Sequence, residues 1–357
     1  MFTKLKKAVS FAFINLLVVA ILLITINWGV GEYLAKTKNR RASLPNFEGN
    51  QEYSAKIFYD YNKIKHQYEP FVGWKTLAYS GETTNIDESG HRITPGTINK
   101  HDTLKKVRFF GGSTMWGEGS DDHNTIPALY ASTKPDHLIY NHGQLAYNTR
   151  QNLDALITLY QQNEKSDIVI FYDGVNDAAF LCASDVEVPG HRLVPIFRQR
   201  LYVSNKKFIL KVVEKLFYEN IIKLIARKNP AIQSKLYDCL NEDKADRIAN
   251  FLIKNWEIAQ QIVESNGGEF IAFLQPAAYI GNPKTDHLDL DKELEKNFIK
   301  VYEKIRLKLR EKDYDWVYDL TDSFDKDEYI YVDFCHVSPN GNAIIAERIS
   351  QIIKSKD

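Results

Sequence analysis

Cysteine is scarce in this chain: there are three in 357 residues and no CxxC pair. That excludes a disulfide-framed miniprotein and argues against a zinc ribbon. Net charge is missing too, because 46 Lys and Arg balance 46 Asp and Glu. With it goes the electrostatic footprint of a general nucleic-acid binder. No repeat of about 20–50 residues and no low-complexity tract is present. No Walker lysine or GxGxxG follows Gly111-Gly112, so that pair is not a phosphate loop. What remains is ordinary for a folded chain, with 44% apolar and 26% charged residues. The length allows one large domain or two smaller ones, at about 150 residues each.

Composition breaks sharply at the N-terminus. From Ala8 to Trp28 the chain is almost entirely apolar, interrupted by Ser10, Asn15, Thr25 and Asn27. A helix of that length matches the hydrocarbon core of a bilayer, about 30 Å thick. Lys4, Lys6 and Lys7 would suit a signal peptide, but the run exceeds the usual length of about 7–15 residues and no A-x-A site follows. An uncleaved anchor over residues 1–36 is expected. Lys36, Lys38, Arg40 and Arg41 follow the span, opposed by Glu32, so flanking charge does not orient it.

Residues 37–105 read as a polar stalk followed by a small β-containing extension, with Gly73, Gly81, Gly90 and Gly96 between short β-favouring runs. From residue 106 short apolar runs alternate with helical segments. The strands are expected at Val107–Phe110, Leu138–Tyr140, Ile168–Tyr172, Phe270–Leu274 and Trp316–Leu320. Helices are expected at Ile126–Ser132, Thr149–Gln161, Ala245–Ser265, Lys292–Lys312 and Asn340–Lys354. Buried runs without polar alternation, separated by helices, indicate an α/β fold with a parallel sheet covered on both faces. A long insertion at about 178–267 exceeds a minimal crossover. Its basic stretch Lys206 to Lys228 reads either as a membrane- or glycan-facing lid or as a solvated helical face on the core.

Function collects at the carboxyl ends of strands in such sheets. Gly111-Gly112-Ser113-Thr114 follows the first strand, Asn141-His142-Gly143 the second, and Asp173-Gly174-Val175-Asn176-Asp177 the third. Asp333-Phe334-Cys335-His336 precedes the last helix. Each element alone could be a cap or a turn. Together they supply what acyl transfer through serine needs: a nucleophile, an imidazole base, an orienting carboxylate and oxyanion donors. Asp121, Asp122 and His123 read as an exposed loop rather than a metal site, as do Asp286 and His287.

Phe109-Phe110-Gly111-Gly112-Ser113-Thr114, Gly143, Gly174-Val175-Asn176-Asp177 and Asp333-Phe334-Cys335-His336 resemble blocks I, II, III and V of the SGNH/GDSL hydrolases, in family order. The resemblance covers Val107 to the C-terminus. It implies a flavodoxin-like three-layer sandwich with a central parallel sheet and a serine mechanism without metal or cofactor. Ser113 would be the nucleophile, with Asp333 and His336 completing the triad. The oxyanion hole would comprise Ser113, Gly143 and Asn176. Gly112 departs from the pattern, standing where many members carry Asp.

The run Ser113 to Leu129 resembles anchored bacterial members associated with surface-glycan modification. This implies a serine esterase removing O-acyl groups, acetyl being the expected one, from an extracytoplasmic carbohydrate. An O-acyltransferase and a non-catalytic glycan-binding or assembly protein are the alternatives. Trp116 is the candidate sugar platform, ahead of Trp74, Tyr172 and Tyr279, with core packing as the competing role for each. A histidine base would give a kcat/KM rising through about pH 6.5. The body is expected on the outer, periplasmic face of a bacterial inner membrane. There, Cys182 and Cys239 could pair, leaving Cys335; three free buried thiols are the alternative.

Overall fold

The computed structural model describes residues 2–97, 104–201, 205–228 and 237–354. They fall into two units: residues 1–40 with 198–235, and residues 41–197 with 236–357.

In the first unit, α1 (Phe2–Lys38) is a single helix of 37 residues. Within it, Val9–Leu34 is long and apolar enough to cross a membrane, with mean hydropathy 2.8 and none of its most apolar window buried. Asn27 is the exception, buried among polar partners. Its Nδ2 donates to the Lys215 and Leu216 carbonyls at 2.8 and 3.0 Å, and its Oδ1 accepts the Asn220 N–H at 2.8 Å. The amide thus satisfies backbone groups between two further helices, Asn205–Phe217 and Glu219–Lys228. Leu210, Val213, Leu216, Ile222 and Ile225 on those helices are exposed. The basic stretch therefore falls in the same unit as the apolar helix. Residues 202–204 and 229–236 of the expected insertion lie outside the described residues, as do the side chains of Lys206, Lys207, Lys211 and Lys223.

The second unit is a three-layer α/β sandwich. Strands β1 (Lys105–Gly111), β2 (His137–Asn141), β3 (Ile168–Asp173), β4 (Glu269–Leu274) and β5 (Val317–Asp319) form one sheet in the order β2-β1-β3-β4-β5. Every pairing among them is parallel. This is the flavodoxin-like order, whose topological switch point lies between the carboxyl ends of β1 and β3. Alternate residues of the strands feed the two cores: Phe110, Val169 and Phe171 go to one face, and Val107, Phe109 and Ile170 to the other. All five strands expected for the parallel sheet form it, each within a few residues of its sequence-read position.

Two regions are more ordered than the sequence suggested. Gln51–Tyr61, inside the expected stalk, is a helix, α2, that buries Ser54, Ile57, Phe58 and Asp60. The Asp60 carboxylate accepts the N–H groups of Thr83 and Thr84 and the Thr83 hydroxyl, tying α2 to the hairpin of Tyr79–Ser80 and Asn85–Ile86. Cys182 and Cys239 are disulfide-bonded, with Cα atoms 5.2 Å apart. The bond pins together the two ends of the crossover that leaves β3 and returns through the helix Glu242–Ser265.

Candidate active site

β1 ends at Gly111, and a one-turn helix, α3 (Ser113–Trp116), starts at once. That abrupt strand-to-helix turn lifts Ser113 to the carboxyl edge of the sheet with its N–H in the unbonded first turn. Gly112 has a steric reason to lack a side chain: a Cβ there would come within 2.3 Å of Asn176 Nδ2 and 3.2 Å of the Tyr147 carbonyl oxygen. Glycine at 112 thus leaves room for the Asn176 amide.

Asn176 comes from the neighbouring strand. β3 stops at Asp173, Gly174 turns the chain at φ 120°, and α4 (Val175–Leu181) begins. Asn176 Nδ2 donates one hydrogen to the Tyr147 carbonyl at 2.7 Å, which aims the amide at Gly112 and leaves its second N–H available. The preceding acid, Asp173, is buried between Trp256 Nε1 and Asn152 Nδ2. Burial, with the nearby Asp177 carboxylate, raises its pKa well above the ordinary range.

The base arrives from the last loop. Tyr331 and Val337 bridge across it, and the Asp333 carboxylate accepts the N–H groups of Cys335 and His336 at 3.0 and 2.9 Å. That turn brings His336 Nδ1 to 2.8 Å from Asp333 Oδ2, while Nε2 lies 2.6 Å from Ser113 Oγ. Burial opposes ionisation of Asp333, but His336 and Arg41 outweigh it and lower its pKa. Burial likewise opposes the charged imidazole, and the Asp333 carboxylate, with Glu118, overcomes it, so His336 is raised well above the usual histidine range. The expected value near 6.5 is therefore revised upward.

Gly143 is not placed as the sequence suggested. Its N–H donates to Asn141 Oδ1 at 2.9 Å, and a Cβ would lie 2.4 Å from the Trp116 nitrogen. Its role here is close packing beneath α3. Three residues on, Ala146 has φ 65°, a left-handed conformation rare for alanine. Ala146 is half-buried, and its N–H has no partner among the described residues. It immediately precedes Tyr147, whose carbonyl holds Asn176.

Trp116 is 1% exposed, with the Arg92 guanidinium 4.5 Å above its ring. It has no face to offer a sugar, and Trp74, Tyr172 and Tyr279 are buried as well. Asp121 caps a short turn by accepting the Asn124 N–H, and Asp122 pairs with buried Arg92 at 2.8 Å. His287 Nε2 meets the Tyr331 carbonyl at 2.8 Å. Asp333, Cys335 and His336 bring three ligand-type atoms within 4.8 Å of one another. Burial pushes the Cys335 thiol up to about 12, however, which keeps it neutral and a poor ligand.

Two further residues at the site escaped the sequence reading. Glu118 lies between Gly117 and Gly119, which have φ 100° and 95°, and those two left-handed turns drive its side chain inward. Arg41 reaches both Glu118 and Asp333. Only the tertiary fold brings them to His336.

No protein-family model and no curated protein sequence matches the chain. Among solved structures, a member of the lipolytic G-D-S-L family from Veillonella parvula is similar at 10% identity and TM-score 0.41, covering 70% of this chain and 99% of that one. A carbohydrate acetylesterase from Sinorhizobium meliloti is similar at 12% identity and TM-score 0.40, covering 71% of this chain and all of that one. Chemical roles for Ser113, His336 and Asp333 rest on their own geometry.

Proposed function

We propose that this chain is a membrane-anchored serine ester hydrolase of the SGNH/GDSL type, acting on O-acetyl groups of an extracytoplasmic carbohydrate. The observation that carries the reading is the continuous contact Ser113 Oγ, His336 Nε2, His336 Nδ1, Asp333, at the sheet's switch point. In the acylation step His336 accepts the Ser113 proton as Oγ bonds to the ester carbonyl carbon. Asp333 steadies the imidazolium that forms. The carbonyl oxygen becomes an oxyanion facing the Ser113 N–H, the free Asn176 N–H and the Ala146 N–H, the last taking the place expected of Gly143. His336 then returns the proton to the departing alkoxide, and water repeats the sequence on the acyl-serine.

The apolar helix supports an anchor, and the Cys182–Cys239 disulfide supports an oxidising compartment for the body. The acetyl and carbohydrate assignments follow from the resemblance of the Ser113 to Leu129 run. The test is acetate release from a panel of O-acetylated saccharides by the full-length protein in detergent, with Ser113→Ala as control. Acetate from the parent alone is expected. Equal release by both proteins, or none by either, contradicts the reading, and acetyl transfer to a second saccharide in place of release would make the chain a transferase.

A further inference from the structure

On the Nε2 side of His336 stands a carboxylate that a serine–histidine–aspartate set does not need. Glu118 Oε2 is 3.1 Å from His336 Nε2, the nitrogen that also meets Ser113 Oγ. The Glu118 side chain is 4% exposed. Its other oxygen accepts from Arg41 Nη1 at 2.6 Å, and the same Nη1 lies 3.1 Å from Asp333 Oδ2. The Arg41 guanidinium is itself held over the α2 rings of Phe58 and Tyr61, at 4.7 and 5.5 Å.

These distances set a conflict over one proton. Serine activation needs the imidazole proton on Nδ1, toward Asp333, and a bare lone pair on Nε2. A bare Nε2 and a carboxylate oxygen at 3.1 Å are both acceptors and repel each other. With a proton on Nε2 the ring is a cation and the same 3.1 Å contact becomes an ion pair, while the Nε2–H itself serves Ser113 Oγ. Glu118 thus favours the doubly protonated ring, whereas attack by Ser113 requires the singly protonated one.

We propose that Glu118 is a positioning residue that parks His336 as the imidazolium by pairing with its charge beside Nε2, and that Arg41 sets how firmly it does so. The proposal deepens the esterase reading and rests on it for Ser113 as nucleophile. Before attack, the parked proton leaves Nε2 for solvent. During attack, the Ser113 proton takes its place on Nε2, and Glu118 then steadies the imidazolium that the reaction creates. One carboxylate therefore delays the onset of activity with rising pH and assists the step once activity has begun. Arg41 lies three residues past the end of α1, so the juxtamembrane chain itself supplies the cation that moderates Glu118 and Asp333.

The groups facing His336 are Ser113 from α3, Asp333 and Cys335 from its own loop, and Glu118 from the glycine-flanked turn, with Arg41 and Tyr61 behind Glu118. The Cys335 thiol is neutral at working pH because burial holds it near about 12. The two carboxylates therefore carry the hold on the proton.

The direct test is nitrogen NMR titration of histidine-labelled, full-length protein in detergent, with the His336 signal identified by its loss in His336→Gln. The parent ring should titrate above about pH 6.5. Glu118→Gln should lower that midpoint by about 1–3 units, and Arg41→Gln should raise it. Opposite shifts from two adjacent substitutions are not what a merely structural role would give. A midpoint unmoved or raised by Glu118→Gln overturns the proposal, and so does an unmoved or lowered midpoint in Arg41→Gln. If Glu118→Gln does not fold, the upward shift in Arg41→Gln decides alone. The titration reads His336 without turnover, so absence of Ser113-dependent hydrolysis would defeat the esterase reading and leave this result separately legible.

Discussion

Asn176 donates its side-chain amide to the Tyr147 carbonyl at 2.7 Å, and that bond joins two loops from opposite sides of β1 into one donor surface. It holds the amide where a side chain at residue 112 would collide with it. It also anchors the chain just after Ala146, whose backbone is left-handed at φ 65°.

Removing the Asn176 donor should therefore cost catalysis and little else. Asn176→Ala is expected to lower kcat by about 10²–10³ with KM less affected, since the backbone donors remain. Steady-state kinetics on a soluble activated ester measures this. A parent-like kcat would remove Asn176 from the oxyanion site.

Ala146→Gly should relieve the φ 65° conformation without displacing the N–H. Thermal unfolding should show a gain of about 0.5–1 kcal/mol, with kcat/KM near that of the parent. Destabilisation would mean that the alanine methyl matters more than the backbone strain.

The sequence motifs made Ser113, Asp333, His336 and Asn176 legible because each sits within a short run at the end of a strand. Gly143 was misplaced because glycine suits both a backbone donor and a close-packed crossing, and here Met115 and Trp116 claim the space above it. Ala146 gave no sequence signal, since alanine rarely adopts positive φ. Arg41 and Glu118 are separated by 77 residues, and Arg41 and Asp333 by 292, so nothing local could pair them. Of the two roles open to Trp116, sugar platform or core packing, the structure gives the second, with Arg92 and Tyr61 closing over it.

Asp173 gives a stability prediction. Its folded pKa is raised above an unfolded value of about 3.9, so ionisation is costlier in the folded state. The penalty is absent below about pH 3.9 and grows as pH rises toward and through the raised folded value. Asp173→Asn, isosteric and uncharged, should be more stable than the parent at pH 8 and nearly equal to it at pH 4. Denaturant midpoints at the two pH values check this. A loss of stability at both would show that Trp256 and Asn152 require the carboxylate.

The disulfide predicts a thiol count. Denatured, unreduced protein should react at one cysteine, Cys335, and at three after reduction. With a sequence separation of 57 residues, reduction should cost up to about 4 kcal/mol of stability. Three reactive thiols without reductant would remove the bond, and with it one support for an oxidising compartment.

Topology can be read in intact spheroplasts. Added protease should digest the residues beyond the apolar helix and leave a short anchored fragment. Protection until lysis would place the body in the cytoplasm.

The central claim is that Ser113 is a nucleophile switched on by His336. A fluorophosphonate added to the full-length protein, followed by peptide mass spectrometry, tests it at the atom concerned. The account predicts one adduct, on Ser113, lost in Ser113→Ala and slowed by about 10³-fold or more in His336→Ala. An unlabelled Ser113, or labelling that proceeds equally fast without His336, would contradict it.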